Sequence, residues 1–191
     1  MKGINRAINN ESRQFSKSNK NCVFLSHRSV DKSTVDKIAT YIENAGVDYY
    51  LDSEDVKLQV AQSTSDAQKI TSCIQKGINE STHILCIISN KTFDDKSWWV
   101  PYEIGFSDKS GKEIIIMKIK ANIEYTLPQY LLVKQIIESL SDLNTFLSRL
   151  RLDGTPLYEE MPPDYAGRIS RSQDAIVKFY SMNHPLKEVL K

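Results

Sequence analysis

Cys22-Val23-Phe24-Leu25-Ser26-His27-Arg28-Ser29 joins a short apolar run to a polar turn, and a helical pattern follows almost at once. The apolar run is consistent with a buried strand. Val35, Ile38, Ala39 and Ile42 then recur at i, i+3, i+4 and i+7, the spacing of an amphipathic helix. Asp31 or Ser33 can cap its start, and Gly46 suits its end. Residues 47–51 are rich in β-branched and aromatic side chains and read as a second strand. Ile70, Ile74, Gly77 and Ile78 mark a second helix, and His83–Ile88 is an almost continuous apolar run, a third strand. Residues 97–106 read as a short helix containing Trp98 and Trp99. A fourth strand spans 114–119, and residues 133–137 can form a fifth. Leu140, Leu143, Phe146, Leu147 and Leu150 give a terminal amphipathic helix.

Strand and helix alternate throughout this pattern. Strands that are apolar along their whole length must be covered on both faces, and a parallel sheet with helices on each side does this most economically. The expected class is therefore α/β. In such sheets ligands bind beyond the carboxyl ends of the strands. That rule singles out Ser26 to Ser29, Asp52 to Asp55, Ser89-Asn90 and the helix over 97–106.

The 191 residues suffice for one domain with a real core. Lys+Arg is 25 and Asp+Glu is 24, a net charge of +1, which argues against a nucleic-acid binder and against electrostatic attachment to a membrane. No apolar run approaches the roughly 20 residues of a bilayer span. The N-terminal stretch is polar, without the apolar core of a signal peptide. Cys22, Cys73 and Cys86 lie in no CxxC unit, so neither a zinc site nor a disulfide framework is expected. These readings predict a soluble cytoplasmic protein.

Residues 1–20 form a polar N-terminal tail, with Lys2, Arg6, Arg13, Lys17 and Lys20 set against Glu11. We read it as a mobile tail; the alternatives are an arm that touches a partner and a short helix over 3–15. Residues 21–151 form the domain. Residues 152–191 form a C-terminal extension broken by Gly154, Pro156, Pro162, Pro163 and Gly167. It has room for a short helix over 172–180, and for Leu157, Tyr158, Met161 and Tyr165 to pack back on the domain, border its pocket or build an oligomer surface.

Three stretches fall in a recognisable order: Val23-Phe24-Leu25-Ser26-His27, Tyr50-Leu51-Asp52-Ser53-Glu54-Asp55 and Ser97-Trp98-Trp99-Val100-Pro101-Tyr102-Glu103. Together they resemble a Toll/interleukin-1 receptor (TIR) domain of the bacterial kind. The resemblance implies a flavodoxin-like fold with a five-stranded parallel sheet. It also implies one of two roles. Some TIR domains are scaffolds that assemble with other TIR domains. Others cleave the bond between nicotinamide and ribose in NAD+, releasing ADP-ribose or cyclic or conjugated forms of it as signals.

Enzymatic members carry a Glu on the helix after the third strand, and Glu103 matches it. Nicotinamide departs neutral, so the difficulty of the cleavage lies in the oxocarbenium character developing on the ribose. A fixed carboxylate can bind the ribose hydroxyls and stabilise that charge. Trp99 matches the Trp that precedes this Glu in several members. Four residues apart on a helix, the two share a face, an aromatic wall beside a carboxylate; Trp98 points elsewhere. The plainer alternatives are a solvated carboxylate for Glu103 and a core role for Trp99. The family also places Ser26, His27 and Arg28 at the nucleotide pocket, where Arg28 can meet a pyrophosphate with paired donors. Tyr50 can stack on a ring or pack on the sheet. Asp52 can cap its turn or shape the pocket, and Ser97 opens the Glu103 helix within the same NAD+-binding set.

His27 has no Cys or second His at ligand spacing, so no metal site is expected. The adjacent Ser26 and His27 do not make a triad. No Gly-x-Gly-x-x-Gly follows the first strand, which disfavours a dinucleotide redox fold. In many TIR domains the loop after the second strand contains Gly and Pro and mediates assembly. Residues 53–65 have neither, and can extend a helix or form an unusual loop.

These readings predict a TIR-domain NAD+ nucleosidase or ADP-ribosyl cyclase with NAD+ as substrate and no cofactor. Self-association through TIR–TIR contacts is expected, as is a separate effector that responds to the product. With no fused sensor in the sequence, this arrangement suits Thoeris-type antiphage defence. The alternatives are a non-enzymatic TIR scaffold and a nucleoside-transferring enzyme of similar fold.

Overall fold

The structure, a computed structural model, describes residues 2–8, 20–94, 98–119, 126–151, 186 and 188–190. Five strands form one parallel sheet: β1 (Cys22–Ser26), β2 (Asp48–Tyr50), β3 (His83–Ile88), β4 (Glu113–Lys118) and β5 (Gln135–Ile137), in the order β2-β1-β3-β4-β5. The helices are α1 (Lys32–Asn44), α2 (Val56–Ser63), α3 (Ala67–Glu80), α4 (Lys91–Asp94), α5 (Trp99–Lys109), α6 (Gln129–Leu132) and α7 (Leu140–Leu150). This is the α/β, flavodoxin-like architecture expected from the sequence.

Alternation along the strands divides the core into two layers. Val23, Leu25, Leu85, Ile87, Ile115 and Met117 pack against α1 and α7. Phe24, Tyr50, Ile84, Cys86, Ile88 and Ile116 pack against α2, α3 and α5. Every residue of β1 is buried, as its unbroken apolar run requires. On the first face, Tyr41 on α1 donates to Asn144 Oδ1 on α7 at 2.5 Å, tying the two covering helices together. Gly46, at φ 84°, turns the chain out of α1, and Val47 N–H bonds back to the Ile42 carbonyl; only glycine takes that left-handed turn without strain.

The segment after β2 is helical. A single 3-10 turn (Asp52–Glu54) leads into α2, whose start is capped by Asp55 accepting from the Lys57 and Leu58 N–H groups. The cap of α2 is Asp55, whereas the Asp52 carboxylate accepts within its own turn, from the Ser53 N–H.

Residues 2–8 do not form a free tail. They lie along the outer edge of β2: Tyr49 N–H donates to the Ile4 carbonyl and Arg6 N–H to the Tyr49 carbonyl, with Asn5 bridged in parallel to Tyr49. The Arg6 guanidinium pairs with Asp48 at 3.0 Å in a nearly solvent-free setting. Hydrophobic patterning carries no trace of this docking, because apart from Ala7, which joins the second core layer, it is fixed by polar contacts. The segment covers an edge strand that would otherwise offer unpaired backbone groups. At the other end of the chain, Leu186, Val189 and Leu190 enter the α1–α7 layer. The proposed helix over 172–180, and Leu157, Tyr158, Met161 and Tyr165, lie outside the described residues. Among the described residues no helix is long and apolar enough to cross a membrane.

Candidate active site

The strand order reverses direction at β1, with β2 on one side and β3 on the other, so the carboxyl ends of β1 and β3 mark the topological switch point. Glu103 reaches that point from α5. Val100, Glu103, Ile104 and Ser107 are the buried positions of this helix, one stripe at i, i+3, i+4 and i+7 that faces the sheet. A carboxyl in the sheet-facing stripe is carried into the interior, and Glu103 is only 3% exposed. Ser26, the last residue of β1, donates its hydroxyl to Glu103 Oε2 at 2.5 Å. Ser107 Oγ donates to the Glu103 carbonyl at 2.6 Å, one turn along α5.

The parallel register brings further groups together. Phe24 pairs with Tyr50 and Ser26 with Cys86, so Asp52 leaves β2 beside the end of β1. Burial drives the Glu103 carboxyl up to about 8 and the negative charge of Asp52 adds to the rise, while the Ser26 hydroxyl opposes it. Asp52 is itself raised by burial, with His27 pulling the other way. Burial also pushes the Cys86 thiol up, and Glu103 reinforces the shift. Burial first, and Asp52 after it, thus favour the neutral form of Glu103.

His27 Nδ1 is 3.0 Å from the Leu25 carbonyl and 3.8 Å from Asp52 Oδ1. A carbonyl accepts only from an N–H, so this nitrogen carries the proton and turns it toward both oxygens. Asp52 Oδ1 is buried and accepts no hydrogen bond among the described residues. Arg28 is buried on the same turn. Behind that turn, Ser89 Oγ, just past β3, donates to Asp31 Oδ2 at 2.8 Å, joining the carboxyl end of β3 to the start of α1.

The structure therefore gathers Ser26, His27, Asp52 and Glu103, with Arg28 on the adjoining turn. Tyr50 is elsewhere: its ring stacks on Phe24 in the core and its hydroxyl donates to Asp55, so it offers no ring surface to a ligand. Trp99 lies on the neighbouring stripe of α5. It is 41% exposed and meets Tyr102 edge-on, and Tyr102 in turn stacks on Phe106; Trp98 is 80% exposed. Trp99 and Glu103 are thus adjacent on the helix but differ in burial. Ser97 lies outside the described residues. Sequence reasoning missed Cys86, Ser107 and the Asp31–Ser89 tie. The position of Ser89 after an apolar strand was the available signal for that tie. Among the described residues no group of three His, Cys, Asp or Glu is placed to hold a metal ion.

An open parallel sheet with a carboxyl and a hydroxyl converging at its switch point defines the class: a flavodoxin-like α/β domain with a polar centre at the ligand-binding end. A family model described as TIR domain matches residues 23–147, about two thirds of the chain. The chain belongs to that family. No curated protein matches it.

Proposed function

We propose that this chain is a TIR-domain NAD+ nucleosidase or ADP-ribosyl cyclase, with Glu103 as its catalytic carboxyl. The observation that carries the reading is the hydrogen-bonded seat of Glu103 on Ser26 at the carboxyl end of the sheet, where folds of this class take their ligands. In the reaction the bond from ribose C1′ to the nicotinamide nitrogen breaks, and its electron pair leaves with nicotinamide, which departs neutral. The ionised Glu103 balances the positive charge developing on the ribose. Water or a nucleophile from the same dinucleotide then bonds to C1′ and loses its proton, giving ADP-ribose or a cyclic product. Arg28 is the donor to the pyrophosphate, and His27, whose Nδ1 proton is held by the Leu25 carbonyl, offers Nε2 as an acceptor to a ribose hydroxyl.

The proposal extends to self-association through TIR–TIR contacts. It also includes a cytoplasmic setting and a separate effector that answers the product, as in Thoeris-type antiphage defence. Concentrated protein incubated with NAD+ should release nicotinamide, with ribosyl products identified by mass spectrometry, and Glu103→Gln should abolish the release while the fold is retained. Absence of any Glu103-dependent NAD+ product, in purified form and in phage-infected cells, refutes the enzyme reading.

A second reading, a non-enzymatic TIR scaffold, draws on the exposed indoles of Trp98 and Trp99. Paired exposed aromatics are typical anchors of a protein interface. Trp98→Ala and Glu103→Gln together separate the readings: assembly that Trp98→Ala disrupts, with no Glu103-dependent NAD+ product, favours the scaffold, whereas NAD+ product that Glu103→Gln abolishes favours the enzyme.

A further inference from the structure

The candidate site depends on where Asp52 sits, and Asp52 has little side-chain support of its own. Its carboxylate accepts backbone N–H bonds within its own turn, from Ser53 and from itself, and Oδ1 accepts none. The carboxylate therefore goes where the turn goes. On the inner side the turn is held by Tyr50, whose hydroxyl donates to Asp55. On the outer side it is held by a residue from the far end of the chain. Asn5 Nδ2 donates to Glu54 Oε2 at 2.5 Å, and Asn5 Oδ1 accepts from Leu51 N–H at 3.4 Å and from Ala7 N–H at 3.0 Å. Asn5 itself is fixed by the strand-like pairing of its neighbours with β2 and by the buried Arg6–Asp48 ion pair.

We propose that Asn5 is a positioning residue of the active site, clamping the turn over residues 51–55 from outside the sheet and so holding Asp52 against His27 and Glu103. The N-terminal segment then has two tasks: it covers the β2 edge, and it sets the separation of the two carboxyls. Among the described residues, the groups facing Glu103 are Ser26 from β1, Cys86 from β3 and Asp52 from the turn. Of these only Asp52 answers to Asn5. Loosening the clamp lets Asp52 recede, removes its repulsion, and lets Glu103 ionise more easily. The functional meaning of the clamp rests on the reading of Glu103 as the catalytic carboxyl, whereas its geometry can be tested without any substrate.

The test is a titration of side-chain carboxyl resonances in protein labelled with 13C-glutamate. Glu103 is identified as the resonance missing from Glu103→Gln. In Asn5→Ala, and independently in Glu54→Ala, which cuts the same link from the turn, the Glu103 midpoint moves acidic by about one pH unit, the effect of removing a nearby like charge. Asn5→Asp moves it the same way, by setting a carboxylate against Glu54. The pair Asn5→Asp with Glu54→Gln restores the wild-type midpoint, because the amide at position 54 then donates to the carboxylate at position 5. A lowered melting temperature with an unmoved Glu103 midpoint in both alanine variants reduces Asn5 to a structural role and overturns the proposal, as does failure of the paired exchange to restore the midpoint. In the NAD+ assay the acidic limb of the kcat/KM profile of Asn5→Ala moves by the same amount. Absence of Glu103-dependent NAD+ product both in purified form and in phage-infected cells refutes the enzyme reading and leaves the clamp standing, because the titration needs no substrate and decides the clamp by itself.

Discussion

Replacing Glu103 with Gln should make the protein more stable relative to wild type as the pH rises. The side chain is buried on the sheet side of α5, with one hydroxyl donor at Oε2 and the charge of Asp52 nearby. Ionising it in the folded state costs more than in the unfolded chain, and the rise from 4.5 to about 8 corresponds to on the order of 5 kcal/mol. Between these two values the folded protein binds a proton that the unfolded chain has released. Wild-type stability therefore falls as pH climbs through this window, by up to about 1.4 kcal/mol per unit. The penalty is absent below about pH 4.5 and complete above about pH 8. Gln has nearly the same shape, and its carbonyl can still accept from Ser26. Its amide brings a fixed cost of about 1–3 kcal/mol if it finds no acceptor, and that cost does not vary with pH. Urea denaturation followed by far-UV circular dichroism, at intervals from pH 5 to 9, measures both proteins. The difference should grow steadily in favour of the variant and level off above pH 8. Parallel curves would show that Glu103 ionises as freely folded as unfolded, and would refute the account of a neutral buried acid.

Gly77→Ala places a methyl carbon 2.5 Å from Tyr50 Cε1, on a ring already stacked on Phe24 and bonded to Asp55; a loss of about 1–3 kcal/mol is expected in urea titrations, and a loss under about 0.5 would mean the ring yields freely. His83, on β3 beside Glu113, Arg149 and Lys112, resists protonation because of its burial. The stability it contributes is complete above pH 6.5 and declines as pH falls below that value, so wild type should lose stability relative to His83→Gln between pH 6.5 and 5. Binding of NAD+ at pH 7 should expel most of a proton from wild type and none from Glu103→Gln, measured by calorimetry in two buffers of different ionisation enthalpy.

The apolar rhythm exposed the sheet because each strand had to be covered twice. The same rhythm located α7 to the residue, since Leu140 to Leu150 sets its own period and Ser139 with Asp142 forms a reciprocal cap. The second strand and the fifth came out shorter than their patterns suggested; both lie at the ends of the five-stranded sheet, each beside a single strand. Glu103 was legible only through its resemblance to a family, since a lone Glu on a helix is otherwise solvated. What hid its setting was α5 itself: the helix puts the carboxyl in the sheet-facing stripe and leaves Trp99 on the next stripe. The docking of residues 2–8 was illegible for another reason. It depends on Asn5, Arg6 and backbone groups meeting partners more than 40 positions away, and polar pairing over such distances leaves no periodic mark.

A neutral Glu103 bears directly on the proposed chemistry. With its carboxyl near 8, roughly one molecule in ten carries the negative charge at pH 7, yet an oxocarbenium-like ribose needs that charge. The substrate can supply the change. The nicotinamide ring of NAD+ is cationic, and a cation seated beside Glu103 favours the ionised form by the same Coulomb interaction through which Asp52 opposes it. Linkage makes the effect reciprocal: what lowers the proton affinity of Glu103 also tightens the cation's hold on the site. Once nicotinamide has left neutral, that attraction is gone and the carboxyl regains its proton as the ribosyl product departs. Asp52 then has a definite task. By adding to the effect of burial, which is the larger cause, it helps keep Glu103 protonated between turnovers and so reserves the charged, reactive state for the interval when a positively charged ligand is present.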